Sequence, residues 1–306
     1  MNKDLSYIIP PIEKSLLKAE LTRDKFVRNT NKLDNEIYII THLNAPNVMQ
    51  EIGRLRELTF ASAGGGTGKP VDIDDYDLGE LPYEQLIVWA PEEEEIVGGY
   101  RFMNCAKLVK SGNIDLSTLH YFNFSPQFIA DYLPYTVELG RSWIQPNFQP
   151  ANSRKGLFSL DNLWDGLGAI VVENPKIRYY FGKVTMYQSY PALAKSMILS
   201  FMHYYFPDND KLVWPKQTLD IDIKNRRILS LIEGKPFNVG YKLLQAEIRA
   251  CDAKIPPLIN NYMGLSATMK TFGTAVNNDF GAVDETAILV TIDDIFDKKK
   301  ERHLDY

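Results

Sequence analysis

The stretch QLIVWAPEEEEIVGGYRFM, residues 85–103, decides the fold class of this 306-residue chain. Both ends are rich in β-branched and aromatic residues, and a proline followed by four glutamates separates them. The pattern predicts a β-hairpin of two strands, 85–89 and 96–103, with a solvated turn between them. A doubly wound nucleotide-binding fold alternates strand and helix regularly, and this hairpin breaks that alternation.

Segments on both sides of the hairpin show further strand and helix patterns. They predict strands at 36–41, 135–144, 178–186, 271–276 and 287–292, and helices at 47–60, 157–172, 191–206 and 256–269. This order indicates an α/β or α+β fold whose central mixed, mostly antiparallel twisted sheet is flanked by helices. Charged helical periodicity predicts an N-terminal helical arm at 1–35. We expect a single domain at 36–300, with an insertion at about 207–250.

Composition narrows the functional classes. The formal net charge of -5 argues against attraction of the whole molecule to nucleic acid. Two cysteines in so long a chain indicate a reducing compartment rather than a disulfide framework. The sequence shows no signal-peptide core and no membrane-spanning apolar run, so we expect a cytoplasmic protein, with peripheral contact at the inner membrane left open. The four histidines show no metal-ligand spacing, and no metal site is predicted.

Two polar segments superficially resemble known ligand loops. The stretch ASAGGGTGKP, residues 61–70, lacks the P-loop pattern, because Ala63 and Pro70 replace its first glycine and its hydroxyl residue. We interpret it as a flexible connector. The acidic segment after it fails as a calcium loop, because Asp77 and Tyr83 stand where glycine and glutamate are required.

Five segments in a fixed order resemble the acyltransferase branch of the GNAT superfamily. They are RELTF at 56–60, GTGK at 66–69, DIDDYD at 72–77, IVGGYR at 96–101 and ELGRS at 138–142. The similarity extends to hemolysin-like proteins and to ornithine and glycine lipid N-acyltransferases, and more remotely to acyl-homoserine-lactone synthases. It covers roughly residues 36–190, with a weaker match near 256–292.

The resemblance implies a bacterial N-acyltransferase of lipid biosynthesis. Such an enzyme moves a long-chain fatty acyl group, with or without a 3-hydroxyl, from an acyl carrier protein or coenzyme A thioester to an amine. The implied acceptor is the α-amine of a small amino acid such as glycine or ornithine, and no tightly bound cofactor is implied. Two alternatives stay open: a synthase of the acyl-homoserine-lactone type, and a non-catalytic lipid-binding or membrane-associated protein.

The donor site is expected just before the helix at 157–172. GNAT enzymes hold a pyrophosphate there with a glycine-rich pattern, which is degenerate in QPANSRKG, residues 149–156. This departure favours acyl carrier protein as donor and partner, since its phosphopantetheine carries one phosphodiester. Arg154, Lys155 and Gly156 are the candidate donor-binding residues, because a basic pair at a helix start attracts phosphate or an acidic carrier. A solvated pair of charges is the alternative.

The catalytic residues are expected on the strand at 135–144. Glu138 is the candidate base for the attacking amine, and an ion pair with Arg141 or Arg101 is its alternative role. A regular strand places residues 138 and 141 on opposite faces, so a bulge would be needed to bring them together. Amides near Ser142 and Trp143 are candidate oxyanion donors, and the predicted catalytic set is Glu138, Arg141 and Ser142.

A buried arginine requires a partner, and the acidic segment supplies one for Arg101 in Asp74 or Asp77. Arg56 is expected either to hold this segment down or to contact the carboxylate of an acceptor. The predicted substrate-binding set is Arg56, Phe60, Asp74, Asp77, Arg101 and Trp143.

Overall fold

The computed structural model describes residues 4–304, which form two compact units. The first unit is made of residues up to Leu116, Val137–Ile177 and the segment from Asp297, and the second of Ser117–Thr136 and Arg178–Phe296. The predicted fold class is confirmed: the chain has a mostly antiparallel sheet flanked by helices.

Ten strands and ten α-helices are present among the described residues. The strands are β1 Phe26–Asn29, β2 Glu36–Ile40, β3 Glu84–Ala90, β4 Glu95–Asn104, β5 Phe122–Phe124, β6 Thr136–Ile144, β7 Tyr179–Met186, β8 Val213–Pro215, β9 Lys270–Asn277 and β10 Val283–Thr291. The helices are α1 Lys14–Glu20, α2 Pro46–Ala63, α3 Asp75–Leu78, α4 Cys105–Ser111, α5 Gly156–Glu173, α6 Ala192–Tyr205, α7 Arg226–Ile232, α8 Phe237–Ala250, α9 Pro257–Met263 and α10 Asp297–His303. Within residues 4–304, no helix combines the length and apolarity that a membrane crossing requires.

The first unit contains the predicted hairpin. Strands β1, β2, β3, β4 and β6 pair in that order, and every pair is antiparallel. Helix α2 begins with Pro46, which suits the first turn because its missing N–H needs no partner, and ends at the left-handed Gly64. Its apolar residues Val48, Ile52 and Leu55 are buried in the core. This packing fixes the rotation of the helix about its axis, and with it the positions of the polar side chains.

The second unit has its own strand pairs. Strand β10 pairs with β7 on one side and β9 on the other, and β5 pairs with β8. Its core includes a cluster of phenylalanine rings, in which Phe128 and Phe181 lie 5.1 Å apart between ring centres.

Two predictions of secondary structure are wrong, and one segment without a predicted element is structured. Residues 1–35 are not one helical arm, because α1 covers seven residues and the segment from Phe26 forms β1 by pairing with β2. Residues 207–250 fit no predicted element, yet they contain β8, α7 and α8. The helix expected at 256–269 ends earlier, at Met263, where Gly264 follows. The assignment of residues 36–300 to a single domain with an insertion at about 207–250 stays a prediction.

Candidate active site

Strands β4 and β6 are interrupted by a β-bulge. Between the pairs Gly99–Trp143 and Arg101–Gly140, β6 has one residue more than β4. Arg141, in this bulge, has a left-handed backbone with a φ of 45°. A bulge leaves the extra residue outside the hydrogen-bonded ladder and re-aims its side chain.

The bulge brings Arg141 to the face of the sheet that carries Glu138. Arg101 lies opposite Gly140, two residues from Glu138, so it shares that face. Arg101 Nη1 lies 2.6 Å from Oδ1 of Asp74, and Arg141 Nη2 lies 3.6 Å from Oδ2 of the same residue. The two arginines therefore meet at one carboxylate, which a regular β6 would not allow.

An Arg/Asp network covers this face. Its members are Arg56, Arg101, Arg141, Asp72, Asp74 and Asp77. Arg56 from α2 and Arg101 from β4 converge on Oδ2 of Asp77, at 3.1 and 3.2 Å. Asp74 and Asp77 also cap α3 through reciprocal backbone hydrogen bonds, a capping box that gives the acidic segment its helical turn. Arg101 therefore has both partners predicted for it.

Burial makes the charges of the network interdependent. The side chains of Arg56 and Asp77 are both 0% exposed. Burial alone would raise the pKa of Asp77, but Arg56 and Arg101 outweigh it and hold that pKa well below its usual range. Burial would likewise lower the pKa of Arg101, yet Asp77 and Asp74 raise it above its ordinary value. The network thus joins three arginines to three aspartates.

Arg56 holds the acidic segment in place. It donates to the carbonyl oxygen of Asp72 at 3.3 Å and to the side-chain oxygen of Gln85, whose amide donates to Asp77 Oδ1 at 2.9 Å. These contacts agree with the first of its two predicted roles, which is to hold the acidic segment down. Phe60, one turn further along α2, is buried among core residues.

Glu138 is held by a tyrosine that the sequence did not reveal. Its carboxylate, 1% exposed, accepts a hydrogen bond from the hydroxyl of Tyr83. The Tyr83 ring lies 5.2 Å from the guanidinium carbon of Arg101 and packs edge-on against Tyr76. No sequence motif identifies Tyr83 as a site residue. Gln85 could have been identified, because it is a polar residue at the start of an otherwise apolar strand.

The bulged segment lies against two adjacent glycines. A Cβ on Gly98 would lie 2.3 Å from the carbonyl oxygen of Trp143, and one on Gly99 would lie 2.6 Å from that of Leu86. Strands β3, β4 and β6 can therefore approach closely only with glycine at these positions. Trp143 is buried and Ser142, within the bulge, is partly exposed.

The candidate donor residues have different surroundings. Lys155 Nζ pairs with Glu93 at 2.6 Å and with Glu92 at 2.9 Å, and these hydrogen bonds raise its pKa to about 12. Lys155 is thus paired with the glutamate turn, and this pair is solvent-exposed, with Glu92 81% exposed. Arg154 is exposed, and Gly156 is buried where α5 begins.

Several amides before α5 and in its first turn have acceptors within the segment. Those of Asn152 and Ser153 donate to the carbonyl oxygen of Gln149, and that of Gly156 donates to Ser153 O. The next two, at 157 and 158, also donate within the segment. A pyrophosphate bound by these amides would have to displace their present acceptors.

The glycine stretch is anchored to a buried carboxylate. Glu57, fully buried on α2, accepts hydrogen bonds from the amide and the hydroxyl of Thr67 and from the amide of Gly68, each at 2.8 Å. The hydroxyl of Tyr7 donates to the same carboxylate at 2.8 Å. These contacts do not support a freely mobile connector; they fix the stretch to the helix that carries Arg56.

A buried charge network beside a bulged central strand of a mostly antiparallel sheet agrees with an acyltransferase of the GNAT class. The family model described as Acetyltransferase (GNAT) domain matches residues 55–159. The chain is 51% identical to the glycine N(alpha)-acyltransferase of Phocaeicola vulgatus, over 97% of its own length and 92% of that protein. It is 52% identical to the glycine N(alpha)-acyltransferase of Bacteroides thetaiotaomicron, over 97% and 89% of the two chains.

The chain therefore belongs to the GNAT-type N-acyltransferase family that contains these two proteins, and it is an enzyme. Among solved structures, a CoA-dependent acyl-homoserine lactone synthase, BjaI, is 13% identical with a TM-score of 0.38, covering 89% of this chain and 86% of that one.

Proposed function

We propose that this enzyme transfers a fatty acyl group from acyl carrier protein to the α-amine of glycine. The amine nitrogen attacks the thioester carbonyl carbon, the C–N bond forms, and the C–S bond breaks. The proton lost by nitrogen passes to a base, and the departing thiolate takes up a proton. Catalysis therefore requires a base for nitrogen, donors for the developing oxyanion, and sites for both substrates.

The observation that carries this proposal is the joint placement of Glu138 and the bulge on β6. The hydroxyl of Tyr83 orients Glu138, which serves as the base directly or through one water. Three residues further on, the bulge at Arg141 releases local backbone from the ladder, and amides near Ser142 and Trp143 serve as oxyanion donors. Base and oxyanion donors are thus held on one strand.

The acceptor site is assigned to the accessible edge of the Arg/Asp network. The side chain of Arg141 is 16% exposed and that of Asp74 is 32% exposed, whereas Arg56 and Arg101 are buried. A glycine zwitterion presents a carboxylate for Arg141 and an ammonium group for Asp74. The buried members of the network position these two groups without touching the substrate. The names of the two relatives support glycine as the acceptor.

The donor is assigned to acyl carrier protein because of the segment before α5. Several of its amides have internal acceptors, so fewer of them are available to hold the pyrophosphate of coenzyme A. Leu157, 68% exposed, and Phe158 stand at the start of α5 beside the exposed Arg154. An apolar pair next to a cation suits the surface of an acidic carrier protein.

A direct assay tests the proposal. Purified enzyme is incubated with palmitoyl-acyl carrier protein or palmitoyl-coenzyme A and with glycine, ornithine or serine, and products are identified by mass spectrometry. We expect N-palmitoylglycine, with a higher kcat/KM for the carrier-protein donor. Absence of any N-acyl product with both donors contradicts the function, and a preference for ornithine contradicts the assigned acceptor.

A further inference from the structure

A strap of chain, residues 7–12, lies along α2 just before α1 begins. Its backbone is irregular, and two hydrogen bonds tie it to the helix. The amide of Ile12 donates to Oε2 of Glu51 at 3.1 Å, and the hydroxyl of Tyr7 donates to Oε1 of Glu57 at 2.8 Å. Because the later residue of the strap meets the earlier turn of α2, the two segments run in opposite directions. The strap is thus fixed to α2 at both of its ends.

Between these ends, the strap contacts the segment that leads to the Arg/Asp network. The amide of Ile9 donates to the carbonyl oxygen of Pro70 at 3.2 Å. Two residues further on, the amide of Asp72 donates to the carbonyl oxygen of Gly53 on α2, and the Asp72 carboxylate pairs with Arg141. The strap therefore contacts the backbone two residues before the partner of Arg141.

The carboxylate of Glu57 is the junction between the strap and the glycine stretch. It is fully buried and accepts from Thr67 and Gly68 as well as from Tyr7. A buried carboxylate keeps its desolvation cost when it loses a donor, so each donor contributes to holding this junction together. Burial, together with the hydrogen bond to Glu57, raises the pKa of Tyr7 to about 12, so its hydroxyl remains a donor at neutral pH.

We propose that Tyr7 is a positioning residue for the acceptor site. It acts through Glu57, which holds the glycine stretch, and this stretch in turn sets the position of Asp72 and of its partner Arg141. The inference rests on the proposed function, in which Arg141 binds the carboxylate of glycine. Because Tyr7 acts through other residues on the binding of glycine and not on the transfer of the acyl group, it affects KM for glycine and leaves kcat nearly unchanged.

Tyr7→Phe tests this inference in the full chain, since it removes the hydroxyl and keeps the ring. With acyl-acyl carrier protein at saturation, we expect the KM for glycine to rise about threefold or more and kcat to stay within about twofold. Tyr38→Phe is the matched control, because it removes a hydroxyl that donates to Glu36 on β2, also at 2.8 Å. An unaltered KM in Tyr7→Phe, or an equal rise in Tyr38→Phe, overturns the proposal.

A double-variant cycle tests the path through Glu57. Thr67→Val removes a second hydroxyl from the same carboxylate and keeps the amide of residue 67 in place. Groups that act through one shared partner are not additive. We expect the KM of Tyr7→Phe/Thr67→Val to differ about twofold or more from the product of the two single effects. Simple additivity overturns the path through Glu57.

Hydrogen exchange gives a readout that is independent of turnover. In Tyr7→Phe we expect the amides of Thr67, Gly68 and Asp72 to exchange faster than in the parent, and in Tyr38→Phe at the parent rate. Unaltered exchange in Tyr7→Phe overturns the proposal, and so does faster exchange with an unaltered KM, which would leave the strap a purely structural role. Absence of N-acylglycine from the parent enzyme contradicts the proposed function itself, so the two failures are distinguishable.

Discussion

Arg141 donates to both carboxylate oxygens of Asp72, at 2.8 and 3.1 Å, across 69 residues of sequence. The amide of Asp72 in turn donates to the carbonyl oxygen of Gly53 in α2, at 2.9 Å. The bulge of β6, the acidic segment and α2 are therefore fixed to one another. Mutations at any of the three should alter the geometry at Glu138 as well as local stability, and the variants below separate these effects.

Glu138→Gln should reduce kcat about 10²- to 10⁴-fold with acyl-acyl carrier protein and glycine, because an amide cannot accept the proton of the amine. The KM values should change little, since the side chain keeps its shape. Steady-state kinetics measure both. Glu84→Gln is the control, because Glu84 pairs with Lys107 at the start of β3. A Glu138→Gln enzyme with unaltered kcat would show that Glu138 is not the base.

Arg141→Lys should raise the KM for glycine about tenfold or more while changing kcat much less. Lysine keeps the charge but loses the planar fork that can serve Asp72 and a substrate carboxylate together. The measurement is KM for glycine at saturating donor. Arg54→Lys on α2 is the matched control: it makes the same substitution at an arginine that pairs with Glu51 outside the network. A fall in kcat at constant KM would exclude Arg141 from acceptor binding.

Asp77→Asn should lower the free energy of unfolding by about 3–5 kcal/mol, because it leaves Arg56 and Arg101 without a buried anion. Urea denaturation measures this change. Asp75→Asn, on the same short helix but exposed, should stay within about 0.5 kcal/mol of the parent. Equal midpoints for the two variants would show that the network is not structurally required.

The same variant shows a pH effect with a defined sign. Since the folded-state pKa of Asp77 is lowered, its stabilisation is present above the unfolded value of about 3.9 and is lost as the pH falls below it. The parent should therefore lose stability on acidification below about pH 4 more steeply than Asp77→Asn. Parallel curves for the two proteins would contradict the lowered pKa.

Gly66→Ala should destabilise the protein more than Gly68→Ala. Both glycines have left-handed backbones, with φ of 90° and 72°, so each alanine bears a cost of about 1–2 kcal/mol. At Gly66 the new Cβ would also lie 2.8 Å from Oε1 of Glu57, whereas at Gly68 it meets nothing within 4 Å. Thermal unfolding of both variants gives the comparison, and equal Tm values would mean that Glu57 does not anchor the loop.

Arg154→Glu should lower kcat/KM for acyl-acyl carrier protein about tenfold, with a much smaller change for acyl-coenzyme A. The substitution places an anion where an acidic carrier is expected to dock. Lys110→Glu makes the same charge change at an exposed residue of α4. If both donors lose the same factor, Arg154 acts on a feature common to them, such as the phosphodiester.

The hairpin of β3 and β4 and the buried Arg101 could be predicted from local sequence patterns. The apolar segments around Ile87 and Val97 are separated by a short charged turn. The two strands of the hairpin are therefore close in sequence, so their pairing can be predicted locally. The partners of Arg101 could also be predicted, because a buried cation requires an anion and the acidic segment lies close by in sequence.

Contacts that depend on strand register could not be predicted. The hydrogen bond from Tyr83 to Glu138 and the pair of Arg141 with Asp72 arise only when β4 and β6 align around a bulge. Phe26 fits a helical repeat, but pairing of its segment with β2 outweighs that weak local preference. Glu57 looks like one more surface glutamate until the glycine stretch folds back onto it.

The charge balance of the Arg/Asp network constrains how this enzyme can diverge. Replacing any one of its buried members leaves an opposite charge buried without its partner, which destabilises the fold. Selection should therefore remove single substitutions there before they can alter substrate choice. New acceptor preferences should therefore arise at positions beside the network that carry no charge, such as Ser142 and Gly140. Relatives with other substrates should differ first at those two positions, while the six charged residues change together or not at all.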